Sequence, residues 1–248
     1  MAGTSTALPF ALPASQSDIL RRRAGILTRL LLLDEGFAQV PVRSMRQDTL
    51  DALLRLYDEV FLSGYLSRTY AELKITMSSR MTSAAGKFIY SRDAAKRLSG
   101  AEIRMSSDFL FRLKEGPFDL NGLTVSTAQE AFLVVFEHEL CHAIETALFG
   151  SSGHSKRFLS IAFSLFGHTQ IHHALPTVRS EAAQKGVFPG AKVSFLYQGK
   201  RLSGVVASVG KTAAVMVPSL MGAYRGRFGR RYDKYRVPID HLTIEKGL

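Results

Sequence analysis

A chain of 248 residues that is 46% hydrophobic and 21% charged has the composition of a folded globular protein with a sizeable core, which excludes a fibre or a wholly disordered chain. Its one cysteine, Cys141, excludes an internal disulfide, a cysteine zinc ribbon and an iron–sulfur cluster, so any metal must be held mainly by His, Asp or Glu. The formal net charge of +11 gathers at the C-terminal end, where residues 181–248 hold 12 Lys/Arg against 4 Asp/Glu; a balance of that kind points to a polyanionic partner such as nucleic acid, the alternative being a solvated basic face.

Residues 1–17 read as a loose, disordered tail. The first basic residue is Arg21, and Pro9 and Pro13 interrupt the apolar stretch from Leu8 to Ala14, so no charged leader followed by a clean apolar run is present. From Asp18, an acidic N-cap candidate, to about Leu33, the positions of Ile19, Leu20, Ile26, Leu27, Leu30 and Leu31 predict an amphipathic helix closed near Gly36. The aliphatic cluster Leu30–Leu33 is far short of the ~20 residues that span a bilayer, and a cytoplasmic protein without a membrane partner is expected. Gln47 to Phe61 repeats the amphipathic pattern, with Gly64 as a stop signal. Leu73 to Tyr90 alternates apolar and polar residues on either side of Ala85-Gly86, as in two strands joined by a turn region, and another strand is expected at Glu102 to Met105.

Ser126 or Thr127 can cap the next helix, with Glu130 placed for a capping box, and that helix should run to about Phe149 before Gly150. Its residues are apolar almost all round, which predicts burial. A Gly-rich reversal, Gly150 to Gly153, leads to a further helix from about Ser155 to Phe166. After Gly186 the texture is all-β: Lys192–Tyr197, Leu202–Val209 and Ala213–Val217 are short strand-like runs, and Tyr235–Leu242 can close a small barrel.

The buried helix carries His138-Glu139-Leu140-Cys141-His142, a match to HExxH. Four residues advance a helix by about 400°, so His138 and His142 share a face and can both bring a ring nitrogen ~2.0–2.1 Å from one zinc. Glu139, beside them, stands where a general base takes the proton from the water that attacks a peptide carbonyl. Burying two His and a Glu in an apolar helix without partners costs several kcal/mol, by order of magnitude, and a metal removes that difficulty. A catalytic zinc needs a third protein ligand. His154 is the leading choice because it follows the reversal and begins the next helix; Leu148 stands where the shorter HExxHxxGxxH pattern would need His.

Other residues carry less. His168, His172 and His173 read as solvated loop histidines, and Cys141 as a small buried hydrophobe pointing off the ligand face. Glu145 lies on the metal face one turn beyond His142, either as support for a ligand or as a surface carboxylate. In the stretch Tyr224 to Arg236, six basic residues alternate with four aromatics; Arg225, Arg227, Arg230 and Arg231 offer phosphate contacts, the alternative being a glycine-rich hairpin packed on the barrel.

Together these residues resemble the SprT-like (Spartan-related) zinc metallopeptidase family. The resemblance rests on HELCHA at 138–143, GHSKRF at 153–158, SSRMTSAAG at 78–86 and YDEVFLSGYL at 57–66, and covers about residues 47–170. It implies an α+β chain with a zincin-like metallopeptidase domain over residues 18–180, with His138, His142 and His154 as ligands to Zn2+ and Glu139 as catalytic acid/base. It also implies cleavage of protein substrates, in some members those crosslinked to or bound on DNA. Many members end in a cysteine zinc ribbon; here the segment GAKVSFLYQGKRLSGVVASVGKTAAVMV with YRVPIDHL resembles instead the basic SH3-like barrel of some bacterial-type members, over residues 187–248. The rival class is a non-enzymatic nucleic-acid or protein adaptor with a structural zinc, against which an intact Glu139 argues.

Overall fold

The computed structural model describes residues 8–81, 83–113, 115–171, 178–226 and 229–245, with the side chain of residue 115 outside that description. Chain contacts divide it into two units, Met1–Leu175 and Pro176–Leu248.

The first unit is organised by the helix that the apolar run at 128–149 dictates. Helices α1 (Gln16–Leu33), α2 (Glu35–Ala38), α3 (Gln47–Leu62) and α4 (Tyr65–Thr69) come first. Strands β1 (Leu73–Ser78), β2 (Gly86–Arg92) and β3 (Leu98–Ser106) follow, then α5 (Ser107–Arg112) and the hairpin β4 (Glu115–Leu120) and β5 (Leu123–Thr127). The central helix α6 (Ala128–Phe149) and α7 (Lys156–Phe166) complete the unit. Ser15, not Asp18, caps α1: its Oγ accepts the Asp18 backbone N–H at 3.2 Å. Within the segment expected to be a loose tail, Phe10 is buried and its ring lies 5.5 Å from that of Tyr65.

Strands β1 and β2 are not neighbours. The sheet order is β1-β3-β2, with β3 parallel to β1 and antiparallel to β2. The reason is burial: Ala101, Ile103 and Met105 of β3 are all core residues, whereas no residue of β2 is buried, so the most buried strand takes the middle and β2 the edge.

Among the described residues, α6 buries 17 side chains. One of them, Glu137, is a carboxylate with no solvent exposure. Arg23 of α1 binds it in a two-pronged pair at 2.7 and 2.7 Å, Tyr57 of α3 donates its hydroxyl at 2.8 Å, and His168 Nε2 lies 2.9 Å away. Burial pushes the Glu137 carboxyl up, but the Arg23 charge and the bonds from His168 and Arg23 outweigh it and hold the group down at about 2. His168 is therefore no solvated loop histidine; it is fully buried. His172 and His173 lie outside the described residues. Rings of Tyr57, Phe61, Phe136 and Phe166 pack around this network with centroids 5.1–5.9 Å apart.

The second unit holds α8 (Val178–Gln184) and a six-stranded antiparallel sheet in the order β11-β6-β7-β8-β10-β9. Its strands are β6 (Lys192–Tyr197), β7 (Lys200–Val209), β8 (Thr212–Pro218), β9 (Tyr224–Arg225), β10 (Arg231–Pro238) and β11 (Thr243–Ile244). Val193, Phe195, Val206, Val215, Val217 and Val237 form its core, as the alternation in these runs requires. The chain as a whole is mixed α and β with a C-terminal antiparallel sheet.

Candidate metal centre

Helix α6 is closed at both ends by its own residues. Thr127 Oγ1 accepts the Glu130 N–H at 3.1 Å and the Glu130 carboxylate accepts the Thr127 N–H at 3.0 Å, while Gly150 ends the helix at φ 79°, a conformation that favours glycine. Between these caps the HExxH residues lie in one uninterrupted helix. His138 and His142 project from one face, with ring centroids 5.1 Å apart.

The loop after Gly150 turns back and delivers His154, just before Ser155 caps α7. The His154 ring centroid lies 5.0 Å from that of His138 and 4.9 Å from that of His142. Phe158, one turn into α7, lies 4.5–5.2 Å from all three rings and forms an apolar wall. One ring nitrogen from each histidine falls within 4.8 Å of the others, and the His138 and His154 Nε2 atoms approach to 2.9 Å. A tetrahedral ion with nitrogen donors at ~2.0–2.1 Å spaces them roughly 3.4 Å apart, inside that range. His138 is buried, His142 half-buried and His154 exposed, so the cluster has a solvent side. Burial, and then the neighbouring His154, push His142 down to about 4, which leaves its imidazole neutral near pH 7, the form that ligates a metal.

Glu139 lies against the edge strand β2. Its carboxylate is buried, which pushes it up to about 7 against the opposing bond from the Phe88 backbone N–H of β2. Space for it exists because residue 86 is glycine. A Cβ there would stand 2.6 Å from Glu139 Cγ and 2.8 Å from Oε1.

Glu145 has no solvent exposure and is not a surface carboxylate. Cys141 is likewise fully buried. In the second unit, Arg225, Arg230 and Arg231 are exposed, and Arg225 of β9 stands directly opposite Arg231 of β10; Arg227 lies outside the described residues. Just ahead of this stretch Gly222 is demanded by packing, since a Cβ would meet the Tyr232 backbone at 2.3 Å, and within it β9 pairs antiparallel with β10.

The model of the SprT-like family matches residues 50–174, half of the chain, and that span contains His138, Glu139, His142 and His154. The chain belongs to the SprT-like family. Neither a curated protein nor a solved structure matches it. For this SprT-like chain, no helix among the described residues is long and apolar enough to cross a membrane.

Two histidine replacements separate the two clusters of this SprT-like unit. His154→Ala should lower zinc affinity strongly while the metal-free protein melts near the wild-type temperature. His168→Ala should do the reverse: removing a hydrogen bond to the buried Glu137 charge costs about 1.5–3 kcal/mol, and the three clustered histidines remain. Equilibrium zinc competition and thermal melts on the two variants check both halves, and a zinc defect in His168→Ala with none in His154→Ala would reassign the third ligand.

Proposed function

We propose that this SprT-like protein is a zinc-dependent endopeptidase whose first unit is a zincin-like catalytic domain and whose second is an SH3-like barrel. The observation that carries the reading is the pairing of a three-histidine cluster with a buried carboxylate from the same helix turn, Glu139, in a space kept open by Gly86. His138, His142 and His154 would hold the ion. When bound, zinc supplies a Lewis acid for the substrate carbonyl and makes water a better nucleophile near neutral pH. Glu139 takes the proton from the attacking water and returns it to the leaving amide nitrogen. Phe158 keeps one side of the histidines dry.

Strand β2, at the edge of its sheet, is the proposed docking line for an extended peptide, since main-chain pairing at a strand edge accepts many sequences. Support for an enzyme over an adaptor with structural zinc comes from the ligand count. Structural sites are closed by four protein ligands, and among the described residues this cluster offers three, one of them exposed. The deciding measurement is metal analysis of the purified chain combined with digestion of casein or histone, with and without single-stranded DNA. A zinc-loaded protein that cleaves neither would overturn the peptidase reading.

The second unit is proposed to recruit nucleic acid, so that substrates are proteins on or crosslinked to DNA in a cytoplasmic setting. Like charges directly opposite on paired strands are destabilising. An anion between them would relieve the Arg225–Arg231 pairing, and Lys234, over the Tyr224 ring at 5.6 Å, extends the basic surface beside an aromatic plane. Replacing Arg225, Arg227, Arg230 and Arg231 with Ala should flatten the slope of log affinity against log salt for single-stranded DNA by about three to four units. An unchanged slope, measured by fluorescence anisotropy, would leave the hairpin a purely structural feature.

A further inference from the structure

We infer that Glu145 is a positioning residue of the metal centre, acting on His142 through Ser152 and on His154 through the loop that carries it. This rests on the reading of the three histidines as zinc ligands. A carboxylate with no solvent exposure must be matched by donors, and those of Glu145 come from one short segment. Ser152 Oγ donates at 2.7 Å and the Gly153 N–H at 3.0 Å to one oxygen. Arg157 Nε donates at 2.7 Å and Ser155 Oγ at 3.4 Å to the other. These four residues flank His154 on both sides, so one side chain of α6, a turn beyond His142, ties down the loop that supplies the third ligand. Arg157 is itself held against the Phe149 ring at 4.2 Å, where α6 ends.

The Ser152 hydroxyl has a single proton. Because it goes to Glu145, an acceptor-only group beside Arg157, Ser152 can only accept from His142 Nδ1, which lies 2.7 Å away. His142 is thereby fixed with its proton on Nδ1 and its lone pair on Nε2, the nitrogen free for the ion. Without the Glu145 carboxylate the hydroxyl can turn round and donate to Nδ1, which moves the imidazole proton onto Nε2 and blocks it as a ligand. Glu145 thus selects the tautomer of one ligand and the place of another.

The test uses the full chain, stripped of metal and titrated with zinc against a chromogenic chelator, with nitrogen NMR of the histidine rings in the metal-free state. Glu145→Gln and Ser152→Ala should each weaken zinc binding by about 10–100-fold. Ser152→Thr, which keeps the hydroxyl, should bind within a few-fold of wild type, and the Glu145→Gln/Ser152→Ala double variant should be no weaker than Glu145→Gln alone. In Glu145→Gln the His142 ring should shift from the Nδ1–H toward the Nε2–H form, a change that a merely structural role would not produce. Wild-type affinity in Ser152→Ala, a half-buried loop change that cannot unfold α6, would overturn the inference even if Glu145→Gln failed to fold; so would losses that add in the double variant. A wild-type chain that takes up no zinc would sink the metal reading itself, whereas tight wild-type binding unaltered by these variants would sink only the role of Glu145.

Discussion

On the proposed peptidase reading, Glu139→Gln is expected to keep roughly one zinc per chain and to lose proteolysis by orders of magnitude. The clustered histidines His138, His142 and His154 are untouched, the side chain keeps its size, and only the capacity to take a proton disappears. Gly86→Ala should reach a similar loss from outside the motif. The added methyl would stand 2.6 Å from Glu139 Cγ, so the carboxylate must leave its place beside the Phe88 N–H, while the histidines stay where they are. Single-turnover cleavage of casein with zinc content measured on the same samples checks both; hydrolysis at the wild-type rate by Glu139→Gln would remove the carboxylate from the chemistry.

The second large effect is on stability. Arg23→Ala strands the Glu137 carboxylate in the core with Tyr57 and His168 but without the two-pronged cation, and breaking a buried pair in this way costs about 3–5 kcal/mol. For a unit of this size that is of order 10 °C in melting temperature. Replacing both partners, as in Arg23→Met with Glu137→Leu, should cost clearly less, because no charge is then left alone. The sign with pH follows from the depressed carboxyl of Glu137: its contribution is complete above the ordinary carboxylate range and fades as pH falls toward 2, so wild type and Arg23→Ala should converge in stability under acid. Denaturant melts at neutral and acid pH test this, and equal stability of the two proteins at neutral pH would contradict it.

What the sequence made legible is what a local period or a fixed spacing encodes. Helix α6, its capping box, the shared face of His138 and His142 and the reversal before His154 all follow from positions within about a dozen residues of one another. Partners distant in the chain were not legible. The alternation at 73–90 identifies strands but carries no mark of β3 lying between them. Nor does the surrounding pattern reveal that His168 is buried, although a local cue exists. Gly167 ends α7 in the left-handed region and His168 N–H reaches back to the Ala162 carbonyl, a helix stop that commonly turns the following side chain inward. The hairpin β4–β5 also had its signal, Asn121-Gly122, with both residues at positive φ as a two-residue turn requires.

The span shared with the family, residues 50–174, starts inside α3 and omits α1. It holds every histidine of the cluster and Glu139, yet the guanidinium that neutralises Glu137 comes from residue 23. Common ancestry and autonomous folding therefore have different borders in this chain. A fragment trimmed to the matched span would keep the whole chemical vocabulary and be left with an uncompensated carboxylate at its centre, so a shortened version intended for activity work has to begin ahead of Ser15, the cap from which α1 starts.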